Sequence, residues 1–347
     1  MWQVIGQDRI LSSLRHSLET GTLVHAYLLV GPAHIGKMTL AINLAMALNC
    51  QQAEPPCGEC TSCQKIYTAN HPDVRVISLL KNGETGEAKL ISIDQIKDIQ
   101  HDANLPPFEG KHKVFIIDGA EMMSVDAANC LLKTLEEPTE KVTFVLLTTN
   151  EKLLPETVVS RCQRLELRPL PAEEVAAALK INAGVDEDRA RLLAILSRGC
   201  PGWALAVAAD ESLLEHRNES LDRITEILDA GYNERFEAIS RMAAQFTQNR
   251  MAVYDTLELW VDFWRDLMMV KLDCQDLITN LDRKNEIIKI AGEYQLSQIT
   301  GAIDSIRLAA EQFGRNANPR LTLEVLMLDI PGKDPGKAVK SASRIIG

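Results

Sequence analysis

The chain has 347 residues, 46% hydrophobic and 24% charged, the composition of a globular protein of two or three domains. Its formal net charge of −11 argues against a protein that grips nucleic acid by itself, though not against one that meets DNA inside a larger assembly. No apolar run reaches bilayer-spanning length, and residues 1–8 lack the basic-then-apolar pattern of a secretory signal, so a cytoplasmic chain with no membrane partner is expected.

Residues 1–168 alternate strand-like and helix-like segments, which predicts an α/β layer fold. Residues 25–30 form a short apolar run ending in a glycine loop, and residues 38–49 then carry helical periodicity. Residues 73–80 are β-rich, residues 81–89 are a polar loop, and residues 94–103 read as an amphipathic helix. A buried strand at 114–117, a helix at 127–135, a strand at 142–148 and a short last strand at 164–167 follow. Pro169 and Pro171 break the pattern and mark a domain boundary. Residues 169–209 are small, alanine-rich and helical, residues 210–330 are helical with long apolar stripes, and residues 331–347 read as a mobile tail.

Gly31-Pro32-Ala33-His34-Ile35-Gly36-Lys37 follows the first strand and opens the first predicted helix, the setting of a phosphate-binding loop. Glycines let backbone N–H groups approach phosphates, the helix N-terminus attracts negative charge, and Lys37 reaches the outer phosphates. Such a loop needs Ser or Thr next, to hold Mg²⁺. Met38 stands there, and a thioether is a poor ligand for a hard cation. Thr39 is one residue on, turned about 100° around the helix. The plainer alternative is a glycine turn that only joins strand to helix. Val114 to Asp118 is an apolar strand ending in a carboxylate, which in phosphate-loop ATPases orients the metal. Its plainer alternative is a cap for the next helix.

Four of the eight cysteines form Cys50-x6-Cys57-x2-Cys60-x2-Cys63, with Pro55, Pro56 and Gly58 supplying turns. Clustered cysteines without an export signal favour a metal over disulfides. Zinc takes four thiolates at about 2.3 Å in a closed tetrahedron, so one structural zinc per chain is expected, with an iron–sulfur cluster or redox thiols as alternatives. Cys130, Cys162, Cys200 and Cys274 are scattered and read as ordinary buried thiols.

The motifs Val4-Ile5-Gly6-Gln7, His25-Ala26-Tyr27-Leu28, the cysteine cluster, Leu131-Leu132-Lys133-Thr134-Leu135-Glu136-Glu137-Pro138 and Leu154 to Gln163 together resemble the AAA+ subunits of bacterial replicative clamp loaders. The resemblance is dense over about the first 170 residues and rests only on helical character beyond. It implies an AAA+ phosphate-loop domain at 1–168 (a parallel sheet with flanking helices and the zinc module at 50–63), a helical lid at 169–209 and an all-α collar at 210–330. It also implies gamma/tau-type motor and delta-type partners, a sliding clamp and primed DNA, within a DNA polymerase III holoenzyme. The Arg of Ser160-Arg161-Cys162 then completes a neighbour's ATP site in trans; taken alone, Arg161 is an ordinary surface arginine.

Active relatives place a Glu directly after the strand's Asp, where this chain has Gly119, with Glu121 two residues beyond. Thr148, Thr149 and Asn150 fall where the family senses the terminal phosphate, and Gly202 falls where the lid's sensing Arg belongs. These departures point to a non-hydrolysing, delta-prime-type member whose site (Gly31, Gly36, Lys37, Thr39, Asp118) holds ATP or ADP, if at all, without turnover. The alternatives are a gamma/tau-type motor, another AAA+ ATPase, and a zinc-dependent nucleic-acid-binding module. Leu257, Trp260, Val261, Trp264, Leu267 and Met268 recur at helical spacing and read as core before interface, and Lys333, Lys337 and Lys340 read as a solvated tail.

Overall fold

The computed structural model describes residues 2–79, 90–314 and 317–332. The predicted loop at 81–89 and the basic tail lysines lie outside the described residues. The chain divides into two compact units, the first running to Leu205 and the second beginning at Ala206.

The first unit opens with α1 (Asp8–Thr20), β1 (Ala26–Val30), α2 (Lys37–Asn49), α3 (Thr61–Tyr67) and β2 (Val74–Ile77). It continues through α4 (Ile93–Ala103), β3 (Lys113–Asp118), α5 (Val125–Glu136), β4 (Val142–Thr148), α6 (Glu156–Val159) and β5 (Gln163–Glu166). All pairings in the sheet are parallel, in the order β2-β3-β4-β1-β5. A parallel sheet needs helices on both faces, and the strand sequences show it: β1, β3 and β4 are buried along nearly their whole length. Alternate residues serve opposite faces. Tyr27, Leu29, Val114, Ile116, Val145 and Leu147 pack against α1, α2 and α3. Leu28, Val30, Phe115, Ile117, Phe144 and Leu146 pack against α4 and α5, with the Phe115 and Phe144 rings stacked at 5.3 Å.

The register brings the C-terminal ends of three strands together, with Val30 opposite Thr148 and Asp118 opposite Leu147. A crevice at strand C-termini is where open α/β sheets bind ligands. The unit closes with α7 (Ala172–Ala183), α8 (Glu187–Leu196) and the start of α9 (Pro201–Ala209).

The second unit is helical: α10 (Ser212–Asp229), α11 (Tyr232–Gln248), α12 (Arg250–Lys271), α13 (Lys284–Glu293), α14 (Leu296–Gly314) and α15 (Pro319–Asp329). The stripe on α12 is core: Leu257, Trp260, Trp264 and Leu267 are buried, while Val261 and Met268 pack half-buried against them. Asp266, also on α12, is fully buried, and its carboxylate accepts from Thr279 N–H (3.1 Å), Asn280 N–H (2.8 Å) and Asn280 Nδ2 (2.7 Å), which offsets the cost of burying it. Among the described residues no helix is long and apolar enough to cross a membrane.

The chain has the layered architecture read from the sequence, a parallel sheet with flanking helices followed by an all-helical region. Of the scattered cysteines expected to be buried, Cys200 is, Cys130 and Cys162 are half-buried, and Cys274 is exposed because it lies in the turn after α12. The helices α1, α3 and the four-residue α6 were not foreseen. In α1 the apolar positions Leu11 and Leu14 face the core and Gly21 ends the helix at φ 67°, a left-handed turn that glycine accepts without strain. In α3 seven residues are too few for periodicity to register. The strand predicted at 73–80 is shorter, Val74–Ile77.

Candidate functional site

The loop between β1 and α2 has phosphate-cradle geometry. Gly31 sits so close to β5 that a Cβ there would lie 2.8 Å from the Leu167 carbonyl oxygen, and Gly36 takes φ 105° to turn the chain into α2. The Gly31 N–H donates to Thr148 O (3.2 Å), tying the loop to the end of β4. The Lys37 ammonium lies across the loop, donating to the carbonyls of Gly31 (2.6 Å) and Pro32 (2.7 Å). Met38 packs half-buried against the hydrophobic cluster beneath the sheet, whereas Thr39 is solvent-exposed at the next position. The residue directly after Lys37 is thus a packed thioether, with the Thr39 hydroxyl one position further on.

Asp118 ends β3 facing solvent, yet the protein crowding its inner side desolvates the carboxyl and raises its pKa; Lys37 pulls against this and Glu121 adds to it. The residue after it, Gly119, sits at φ 71° and opens a 3-10 turn, Ala120–Met122. Glu121, on that turn, is directed to the end of β4: its Oε1 accepts from the Thr149 N–H (3.0 Å) and hydroxyl (2.7 Å). Its Oε2 is buried without a hydrogen-bond partner. Thr148 Oγ1 accepts from the Asn150 N–H, and the Asn150 side chain caps the turn Glu151–Leu153. Thr148, Thr149 and Asn150 are thus engaged with the protein itself.

Pro201 and Gly202 begin α9 against the loop. The Gly202 N–H donates to His34 O (2.9 Å), and a Cβ at 202 would lie 2.6 Å from that oxygen. His34 is held at φ 59°.

Arg161 lies in the turn after α6. It is about a third exposed, its Nη1 donates to Thr157 O (2.9 Å), and its Nη2 meets Glu136 Oε1, the last residue of α5, at 2.6 Å. Glu136 stands in the Leu131–Pro138 motif of the sequence without a role of its own; the approach of α5 to α6 brings it to Arg161.

The four Sγ atoms of Cys50, Cys57, Cys60 and Cys63 all lie within 4.8 Å of one another, and those of Cys57 and Cys63 are 3.9 Å apart. Tetrahedral thiolates around zinc at about 2.3 Å are separated by about 3.8 Å, so the donor set fits a metal ion of that kind. Cys50 and Cys63 are buried and Cys57 and Cys60 half-buried, leaving little of the cluster open to solvent. Burial pushes the Cys63 thiol up, to about 12. At Cys60 burial is outweighed by the N–H groups of Gln51 and Cys63 together with neighbouring thiols, which bring it down to about 6. The Cys57 thiol is lowered by the N–H groups of Cys60 and Glu59.

A polar scaffold holds this module to the sheet. Asn49 Oδ1 accepts from the N–H groups of Lys111 (2.8 Å) and His112 (2.9 Å), and Lys111 Nζ donates to Cys50 O. Asp73 accepts three backbone N–H groups, from Phe108, Glu109 and Gly110, at 2.6–2.9 Å. Burial acts to raise its pKa, but these donors outweigh burial and hold the carboxyl below its usual value. His71 Nδ1 accepts the Asp73 N–H (3.1 Å), so its Nε2 carries the proton and points at Ser62 Oγ (3.2 Å). His71 is therefore a donor to Ser62 and not a base activating it.

Residues 6–171 match the family model described as DNA polymerase III, delta subunit. The chain is 28% identical over 323 residues to DNA polymerase III subunit delta' of Bacillus subtilis, covering 93% of this chain and 95% of that one. It is 36% identical over 188 residues to DNA polymerase III subunit tau of the same organism, covering 54% of this chain and 32% of that longer protein. A solved DNA polymerase III gamma subunit-related protein of Thermotoga maritima superposes with a TM-score of 0.39 at 18% identity, covering 90% of this chain and 97% of that one.

Proposed function

From its similarity to the clamp-loader subunits of DNA polymerase III, we propose that this chain is a delta-prime-type member of that family, which does not hydrolyse ATP and lends Arg161 to a neighbouring subunit's ATP site. The observation that carries the reading is the state of the reaction centre. Met38 is packed toward the core, Gly119 has no side chain, and Glu121 is committed to Thr149. A working site needs a hydroxyl to hold Mg²⁺ and a carboxylate to activate water. Gly31, Gly36 and Lys37 keep a cradle that fits the phosphates of ATP or ADP, with Asp118 beside it. Gly202, which has no room for a side chain, supports the same reading.

The four cysteines hold one structural zinc, with no position left for substrate. Residues 1–168 act as the AAA+ domain, 169–209 as the lid and 210–330 as the collar, which joins gamma/tau-type and delta-type partners. Together they open the sliding clamp and place it on primed DNA. Arg161 supplies a planar, permanently charged donor for the phosphoryl oxygens of a neighbour's ATP.

Two measurements test this. The isolated chain should show no ATP turnover above background; turnover on the order of 1 per second that vanishes in Lys37→Ala overturns it. In the assembled loader with clamp and primed DNA, Arg161→Ala should depress ATP turnover, by on the order of tenfold or more given the leverage of arginine fingers. The motor reading draws on the higher identity to tau over the first half of the chain, and turnover by the isolated chain would favour it.

A further inference from the structure

We propose that Glu136 is a positioning residue for Arg161: it holds the guanidinium in a fixed orientation before the neighbouring subunit's nucleotide arrives. The inference rests on the trans role of Arg161 proposed above. Arg161 follows a helix of only four residues, Glu156–Val159, so its backbone is secured by little more than one turn. An arginine side chain on such a turn would sample many rotamers, and each must be given up when it engages a phosphate.

Two anchors on two different elements remove that freedom. Thr157 O takes one Nη1 hydrogen (2.9 Å), and Glu136 Oε1 takes one on Nη2 (2.6 Å). A guanidinium carries five N–H donors, so three remain for an oxyanion. The Arg161 side chain stays about a third exposed, which leaves it open to a partner. Donors fixed ahead of the reaction need no reordering at the moment charge develops.

The place of the carboxylate supports a specific role. Glu136 is the last residue of α5, at the end where the helix dipole favours cations over anions. The helix gains nothing from an acid there. The guanidinium does gain, because a 2.6 Å charge-assisted contact fixes its direction as well as its place.

The test uses the assembled loader with clamp and primed DNA, comparing wild type, Glu136→Ala, Glu136→Gln, Arg161→Ala and the Glu136→Ala/Arg161→Ala double variant. Glu136→Ala should lower kcat for ATP about two- to five-fold, the range open to an exposed ion pair of good geometry, with KM for ATP unchanged. Glu136→Gln, which keeps the acceptor oxygen, should fall between Glu136→Ala and wild type. The double variant should be no slower than Arg161→Ala, because Glu136 acts only through the arginine. If Arg161→Ala is slow but Glu136→Ala runs at the wild-type rate or faster, the positioning role is wrong and the finger stands. If Arg161→Ala itself runs at the wild-type rate, the finger reading falls and the positioning role with it.

Discussion

At the scale of single residues, the proposed loss of ATP hydrolysis has a backbone side to it. On that proposal Gly119 stands where a catalytic Glu would be needed, and its φ of 71° is a conformation L-residues pay about 1–2 kcal/mol to adopt. Gly119→Glu should therefore lower stability by about that amount in urea unfolding and restore no ATP turnover while Met38 remains; a stable, active single variant would show that the carboxylate alone was missing. The linear motifs were legible in the sequence: the loop from Gly31 to Lys37, Asp118 and the cysteines each carry a local signature, whereas Arg161 stands out only through the resemblance of its surrounding motif. The pairings around them were not. Glu121 meets Thr149 across 28 positions of sequence, and Glu136 meets Arg161 only because α5 ends beside α6. Nothing in spacing alone announces contacts that the fold creates.

At the scale of elements, the cysteine module hangs on side chains that no motif reveals. Asp73 secures the turn at 108–110 with three short bonds. A carboxyl held low contributes stability in full above its ordinary pKa of about 3.9 and loses it as pH falls through the lower folded value. Asp73→Asn should thus cost about 1–3 kcal/mol at neutral pH, with the gap to wild type closing in acid; urea midpoints at pH 7 and pH 3 read it, and a gap that stays constant refutes the role. Metal analysis should find one zinc per chain, lost in Cys60→Ser and released on acidification as the thiolates take up protons. Iron, or two metals, would contradict the site. The module's spacing was readable because two-residue gaps encode chelation. The helix α3 that carries Cys63 was not, being a single short segment whose order depends on its surroundings.

At the scale of the whole molecule, the stripe from Leu257 to Met268 was readable because α12 is long, and it proved to be the heart of the second unit. The net charge of −11 makes a further expectation quantitative. The isolated chain should retain no primed DNA at about 0.15 M salt, where attraction between charges is screened beyond about 8 Å; salt-sensitive binding by the chain alone would revive the nucleic-acid-binding reading. The junction of α9 with the nucleotide loop carries a consequence for substitution. Only hydrogen fits between position 202 and the His34 carbonyl. Any side chain set here would have to prise the start of α9 off the loop, so replacement of this glycine should be felt at the loop before it is felt anywhere else.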